Sequence, residues 1–324
     1  MSHKHFTRAL ALLLSLVILS NYSCNQQDEI AVNEMLPRLS DYAIFNGNAS
    51  DLVPNADYKL YELASTLFTD YAEKQRLIKV PAGKTIKAVN DGLPDFPDGT
   101  VIVKTFYYFH DKRDISKGKN IIETRLLIKK DNHWKVGVFK WNREQTDAIL
   151  FTSGDYQSVN WIGLDGKANV ISYRFPSNAD CRTCHQSDDD VVPIGPKIRN
   201  LNINVARNGV SVNQLTHLAD EGVLNRVKPT WFSVLPDYHN TSLSVEHRAR
   251  AYLEVNCAHC HSDGGFAGNR RPRFGYEYSL QSSNILAEKA TMVQRMGNGQ
   301  MPKLGNTVLD KEGTDLVIKY LNSL

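Results

Sequence analysis

Two short segments of the chain repeat one arrangement of reactive side chains, Cys-x-x-Cys-His. They occupy residues 181–185 and 257–261. Two thiols three positions apart can form thioether bonds to the two vinyl groups of one haem, and the imidazole that follows then reaches the iron. The spacing therefore predicts two covalently bound haem c groups. The expected thioether cysteines are Cys181, Cys184, Cys257 and Cys260, and the expected axial iron ligands are His185 and His261.

Other chemistries also use paired cysteines. A thioredoxin-like redox site needs one Cys-x-x-Cys pair, and a zinc site can combine two such pairs into four ligands. Neither explains why a histidine directly follows both pairs. The chain holds five cysteines and ten histidines. Chance would place one such pentad in comparable sequences on the order of once in several hundred, so two of them favour haem attachment.

The second motif belongs to a longer pattern. Residues 244–256 place apolar side chains at helical spacing behind Ser244, a natural N-cap, and so predict a helix that leads into the motif. Further on come Met301-Pro302 and an amphipathic stretch over residues 311–322, which predicts a C-terminal helix. This order resembles the class I cytochrome c fold, which implies that the Met301 thioether is the sixth ligand of the second iron. The alternative is an ordinary core methionine at this position.

The first motif lacks an evident sixth ligand. No methionine lies within residues 176–228, and the local histidine, His217, is expected on the solvent face of a helix over residues 212–221. His259, inside the second motif, cannot bind the same iron as His261, and we expect it to be exposed. The first iron therefore either keeps an open position or takes a ligand from elsewhere in the chain. The candidates for such a ligand are His110, His133, His239, Met292 and Met296.

The N-terminus has the pattern of an export signal. Two basic residues precede an apolar run over residues 9–19, and small or polar residues follow, which predicts a signal peptide at residues 1–23. The run is shorter than the roughly 20 apolar residues that a membrane-spanning helix needs. Cys24, the odd cysteine, then predicts a lipid-modified N-terminus with a polar tether over residues 24–38. An incidental free thiol is the alternative.

The body of the chain changes character near residue 175. Residues 39–175 hold aromatic and β-branched runs separated by turn signals, which predict an antiparallel β-rich domain. The remainder predicts helices and long loops around the two motifs. We therefore expect an α+β protein in which the β-rich domain precedes two α-helical cytochrome c-like modules, at residues 176–228 and 237–324, joined by a proline-bounded linker over residues 228–236.

The charge of the chain gives no indication of nucleic-acid binding. The formal net charge is +3, and it falls to +1 without residues 1–23, which hold two basic residues and no acid. Haem propionates would make the holoprotein slightly acidic. Redox donor and acceptor proteins are the partners that this balance suits.

Several longer stretches add a family resemblance. They are residues 39–42, 67–74, 96–108, 123–128, 141–147, 193–202 and 255–262. Together with the two motifs they resemble a family of bacterial di-haem c-type cytochromes of unassigned role, and the likeness runs from about residue 39 to the C-terminus. The resemblance implies covalent haem at both motifs, a β-rich N-terminal part and a β-helix-repeat protein as a possible partner.

Three functions follow as hypotheses. The first is single-electron transfer in the cell envelope, by an exported lipoprotein of the outer membrane that faces the periplasm or the cell surface. The second is a di-haem redox enzyme of peroxidase-like type, with an open iron at the first motif. The third is a surface lipoprotein whose β domain binds a ligand and whose haems are accessory.

Overall fold

The computed structural model of the protein describes residues 35–302 and 305–324. Its strands are β1 Lys59–Leu60, β2 Glu73–Lys79, β3 Val101–Phe109, β4 Lys119–Lys130, β5 His133–Trp141, β6 Ala148–Phe151, β7 Ser153–Ile162, β8 Ala168–Ser177, β9 Gln186–Ser187, β10 Asp190–Val191, β11 Asn204–Arg207 and β12 Val210–Asn213. Its helices are α1 Asn178–His185, α2 Ile198–Leu201, α3 Gln214–Asp220, α4 Val245–Asn256, α5 Leu280–Ser283, α6 Ile285–Gly297 and α7 Lys311–Ser323. Within these residues we find no helix with the length and apolarity to cross a membrane. The expected signal peptide and Cys24 lie outside the described residues.

An antiparallel sheet dominates the N-terminal half. Strands β1 to β6 pair in chain order, and β7 and β8 form a separate long hairpin. At the centre of the sheet, Thr105 and Thr124 face each other across β3 and β4, with their hydroxyl oxygens 3.0 Å apart. The expected β-rich region and the overall α+β class are therefore confirmed. The sequence patterns do not indicate β2, because four of its seven residues are charged and its apolar run has only two residues, Leu77 and Ile78.

Both faces of the sheet are covered. Because successive side chains in a strand point to opposite faces, neighbouring apolar residues of one strand contribute to different cores. One face presents Leu77, Val103 and Leu126 to the N-terminal residues 39–58. The other presents Ile78, Ile102 and Leu127 to the segment 198–224. The short apolar runs of β3, at residues 101–103, and of β4, at residues 126–128, reflect this burial on both faces.

The C-terminal helices match the sequence pattern closely. The two helices expected at residues 244–256 and 311–322 are α4 and α7, and the hydroxyl of Ser244 caps α4 by accepting a hydrogen bond from the amide of His247 at 3.2 Å. The helix expected at residues 212–221 begins later than predicted. Residues up to 213 pair with β11, so only Gln214–Asp220 is helical.

Helices α4 and α7 cross at a glycine. Gly313 is buried in the first turn of α7, and a Cβ atom placed there would overlap the ring of Tyr252 on α4. The ring of Tyr252 is fixed in turn by an edge-to-face contact with Tyr238, at 5.2 Å between centroids. The close approach of the two helices therefore depends on the missing side chain.

We predict that Gly313→Ala lowers the free energy of unfolding by about 2 kcal/mol, because overpacking at a fixed aromatic ring forces the helices apart. The matched control is Gly297→Ala in α6, where an added Cβ meets only Ile318, at 4.0 Å, so helix propensity makes that change neutral or slightly stabilising. Urea unfolding of the two variants measures the difference. Equal stability of both would contradict the packing argument.

Candidate haem-binding site

The first motif lies on a short helix that the β hairpin delivers. Strand β8 ends at Ser177, and helix α1 begins at the next residue. Ser177 and Asp180 form a reciprocal cap, since the Asp180 carboxylate accepts from the Ser177 amide at 3.0 Å and the Ser177 hydroxyl accepts from the Asp180 amide at 3.3 Å. The cap fixes the start of the helix, and hence where Cys181 and His185 stand.

His185 is oriented for ligation. It is buried, and its Nδ1 lies 2.7 Å from the carbonyl oxygen of Val192, which can only accept a hydrogen bond. Nδ1 therefore carries the proton, and Nε2 keeps a free lone pair, as in most metal-bound histidines. Burial, reinforced by the field of Lys104, lowers the pKa of His185 to about 3. The imidazole is thus neutral at physiological pH, which is the form that binds iron.

A cavity opens beside the first motif. Its lining includes Cys181, Cys184 and His185 together with apolar side chains from several parts of the chain. These side chains include Leu63, Leu67, Phe68, Phe106, Leu127, Ile194 and Val255. Two thiols, a neutral imidazole with a free nitrogen and apolar walls are what a covalently attached porphyrin requires. The residues present therefore fit a haem.

One wall of this cavity is the sheet itself, and it carries cations. Arg76, Lys104 and Arg125 all line the cavity, and they occupy directly opposed positions on β2, β3 and β4. We call these three residues the cation row. Burial, followed by the fields of the other two members, lowers the pKa of Lys104 to about 7. The amine of Lys104 donates to the carbonyl oxygen of Ile194 at 2.7 Å.

The second motif follows α4 directly. His261 packs edge-on against Phe274, with 5.1 Å between ring centroids. Burial is the main cause that lowers its pKa, while the nearby Pro272 carbonyl opposes the shift. The loop behind the motif is braced by Arg273, a buried side chain that donates to the Asp263 carboxylate at 2.8 Å.

The two motifs lie next to each other. The amide of Asp188, three residues after the first motif, donates to the carbonyl oxygen of Gly264 behind the second motif, at 2.7 Å. A Cβ atom on Gly264 would lie 2.7 Å from the same amide nitrogen, so the loops meet at a position where only glycine fits. Burial is the main cause that raises the pKa of Cys260, and the field of Cys184 adds to it.

The expectation that His259 is exposed is wrong. His259 lines the cavity of the first motif, and its Nδ1 is buried without a hydrogen-bond partner. The cause is the contact between the two loops, which turns this side of the second motif toward the first motif instead of solvent. Among the histidines of the described residues, His185 and His259 line this cavity.

The other candidates for the sixth ligand of the first iron lie outside this cavity. His133 and His239 are exposed and face carboxylates, Asp190 at 3.0 Å and Glu312 at 3.3 Å. Met292 and Met296 are buried in the apolar core between α4, α6 and α7. His110 and His217 are not among the residues that line the cavity.

Met301 lies on the loop between α6 and α7, at the border of the same cavity. Its amide donates to the carbonyl oxygen of Arg295 at 3.2 Å, and the next residue, Pro302, is part of the cavity lining. The later part of the loop is held by Asp70, whose carboxylate accepts from the Thr307 amide at 2.8 Å. Its role as an iron ligand stays a prediction.

Comparison with known proteins identifies one segment. Residues 244–321 match the family model described as cytochrome C oxidase, cbb3-type, subunit III. Neither the curated proteins nor the solved structures contain a match to the chain. The matched segment runs from the cap of α4 through the second motif and Met301 into α7. The chain therefore contains a c-type cytochrome domain, which carries covalently bound haem c and takes part in electron transfer with redox partners.

Proposed function

We propose that the protein is a di-haem c-type cytochrome that transfers single electrons, with one haem at each motif. The observation that carries the proposal is the contact between the motif loops, Asp188 to Gly264 at 2.7 Å. This contact sets the two motifs side by side, and passage of an electron between haems bound at them would require such proximity. The cavity beside the first motif supports a haem there. The cytochrome match over residues 244–321 supports a haem at the second motif.

Each bound haem would supply a reversible one-electron iron couple. The chain's own residues fix and tune it. The cysteines would hold the porphyrin edge, and the Val192 carbonyl fixes the tautomer of His185 and increases its basicity. At the second motif, Phe274 packs against His261 and restricts its ring. The apolar walls exclude water, which favours a potential set by the ligands and their charges.

We assign the sixth ligands to different side chains. His259 would be the sixth ligand of the first iron, because among the histidines that the structure describes it is the one that lines the same cavity as His185. Met301 would complete the second. A thioether ligand gives a higher reduction potential than a second imidazole, so electrons would run from the first haem to the second. Two six-coordinate irons suit a carrier, whereas the peroxidase-like alternative requires an open position at the first iron.

The place of action follows from the same chemistry. A cytochrome c domain indicates a protein that functions outside the cytoplasm or in the cell envelope. We propose that residues 1–23 direct export and that Cys24 carries a lipid that anchors the chain at the outer membrane. A β-helix-repeat protein is a proposed partner through the family resemblance alone.

We predict that replacing both cysteines of one motif by alanine removes one haem and leaves the other. The double variants are Cys181→Ala with Cys184→Ala, and Cys257→Ala with Cys260→Ala. Each should lose the mass of one haem from the intact exported protein, since both thioether bonds at that motif are gone. Cys24→Ala is the control and keeps both haems. A wild-type protein with one haem or none would overturn the proposal.

We predict that Met301→Leu removes the thioether–iron charge-transfer band of the ferric protein. The reduction potential of the second haem should fall by on the order of 0.1 V, because the loss of a thioether ligand removes its preference for ferrous iron. Absorption spectra and a potentiometric titration measure both effects. Met296→Leu, a change in the buried core, is the control and should leave the band intact. A band that survives Met301→Leu would exclude this ligand.

We predict that His259→Ala converts the first haem from low spin to high spin. In the ferrous state the variant should bind about one carbon monoxide per chain, whereas the wild type binds none rapidly, because only the variant has an open iron position. Paramagnetic resonance of the ferric protein and a carbon monoxide titration measure this. His239→Ala is the exposed control. Rapid binding by the wild type would instead favour the peroxidase-like enzyme.

A further inference from the structure

The cation row sits where the sheet should be apolar. Its register neighbours on the same face, Ile78, Ile102 and Leu127, are buried in an apolar core. One step along the strands, three cations stand side by side instead. Arg76 is only 9% exposed, and like charges in directly opposed positions of an antiparallel sheet repel each other.

Carboxylates neutralise only part of this charge. Arg125 binds Glu123, with Nε and Oε1 2.7 Å apart. Asp180, which also lines the cavity, binds Arg174 at 2.8 Å.

Three cations of the lining are left without an acid. In the part of the chain that the structure describes, Lys74, Arg76 and Lys104 have no carboxylate within ion-pair distance. Lys74 and Lys104 donate to backbone carbonyls instead. The lining therefore has an excess of positive charge next to the first motif.

Such an excess is unfavourable without a counter-charge. An unpaired ion removed from water is strongly destabilising, even after relaxation. Guanidinium and ammonium groups are satisfied by carboxylates and other oxyanions, which accept several of their hydrogen bonds at once. The fold therefore provides both the charge and the donors for an anionic group inside the cavity.

We propose that Arg76 and Lys104 form an anion site in the first cavity, which binds a carboxylate or a similar oxyanion. The inference rests on the proposed function, because the same cavity holds the first attachment motif. Two sources offer this chemistry. The haem attached at Cys181 and Cys184 would bring its own propionates, and a small diffusible oxyanion could enter from solution.

The direction in which the thermal midpoint shifts when one cation is removed tests the anion site. The variants are Arg76→Met and Lys104→Met in the haem-loaded protein, with Arg76→Lys as the charge-keeping rescue and the exposed Arg143→Met as the control. If the cations are paired with an anion, removing one leaves that anion buried and lowers the thermal midpoint. If they are unpaired, removing one relieves repulsion and raises the midpoint. A raised or unchanged midpoint in both variants overturns the proposal.

Titration with nitrite, sulfate and acetate distinguishes the two sources. If propionates occupy the site, the wild-type midpoint does not respond to these anions. The reduction potential of the first haem then falls in both variants, since a lost cation favours ferric iron. If the anion is diffusible, it raises the wild-type midpoint and has no such effect in the variants. Intact mass reports haem separately, so a protein without the first haem would refute the proposed function while the stability comparison still decides the anion site.

Discussion

The alternation of side chains along β2, β3 and β4 is the constraint on which the rest of the structure depends. Because these strands are covered on both faces, every residue in them is assigned to one core or the other. Val103 and Leu126 face the N-terminal segment, while Ile102 and Leu127 face the segment that follows the first motif. The same period extends the second face into the cation row. A slip of one residue in the register would move both the apolar core and the charges to the wrong side.

The segment of residues 65–70 lies between the sheet and the regions that carry the motifs. Buried polar side chains of those regions bind the backbone of this segment. The Asn200 side chain accepts from the Ser65 amide at 2.9 Å, and the Asn256 side chain accepts from the Phe68 amide at 2.8 Å. Buried backbone groups are costly to leave unpaired, so these contacts specify how the parts meet.

The cavity of the first motif is consequently lined by residues from several parts of the chain. The sheet contributes its cation row, α1 contributes Cys181, Cys184 and His185, and the segment that carries the second motif contributes Val255 and His259. The β-rich region therefore forms one wall of the cavity that contains the first motif. This arrangement also explains why the two motifs differ. The second follows helix α4 in the segment 244–321, where the sequence pattern predicted α4 and α7, whereas the first lies beside distant strands and the second motif.

The amino-acid sequence by itself determined the features that follow local rules. The spacing of cysteine and histidine predicted haem attachment, helical periodicity predicted α4 and α7, and aromatic and β-branched runs predicted the strands β3, β4 and β5 of the sheet. Each of these signals lies within a short stretch of chain, where one residue's spacing to the next carries the information. A cytochrome domain over residues 244–321 agrees with them.

Tertiary structure alone decided which distant residues meet. Nothing near His259 in the sequence indicates that it faces the first cavity, because that depends on the contact from Asp188 to Gly264. The cation row was visible only as isolated charges, Arg76, Lys104 and Arg125, in three strands. Their assembly into one row requires the strand register, which pairs residues far apart in the chain. Local patterns fix where a side chain points along its own element, and only the packing of elements fixes what it points at.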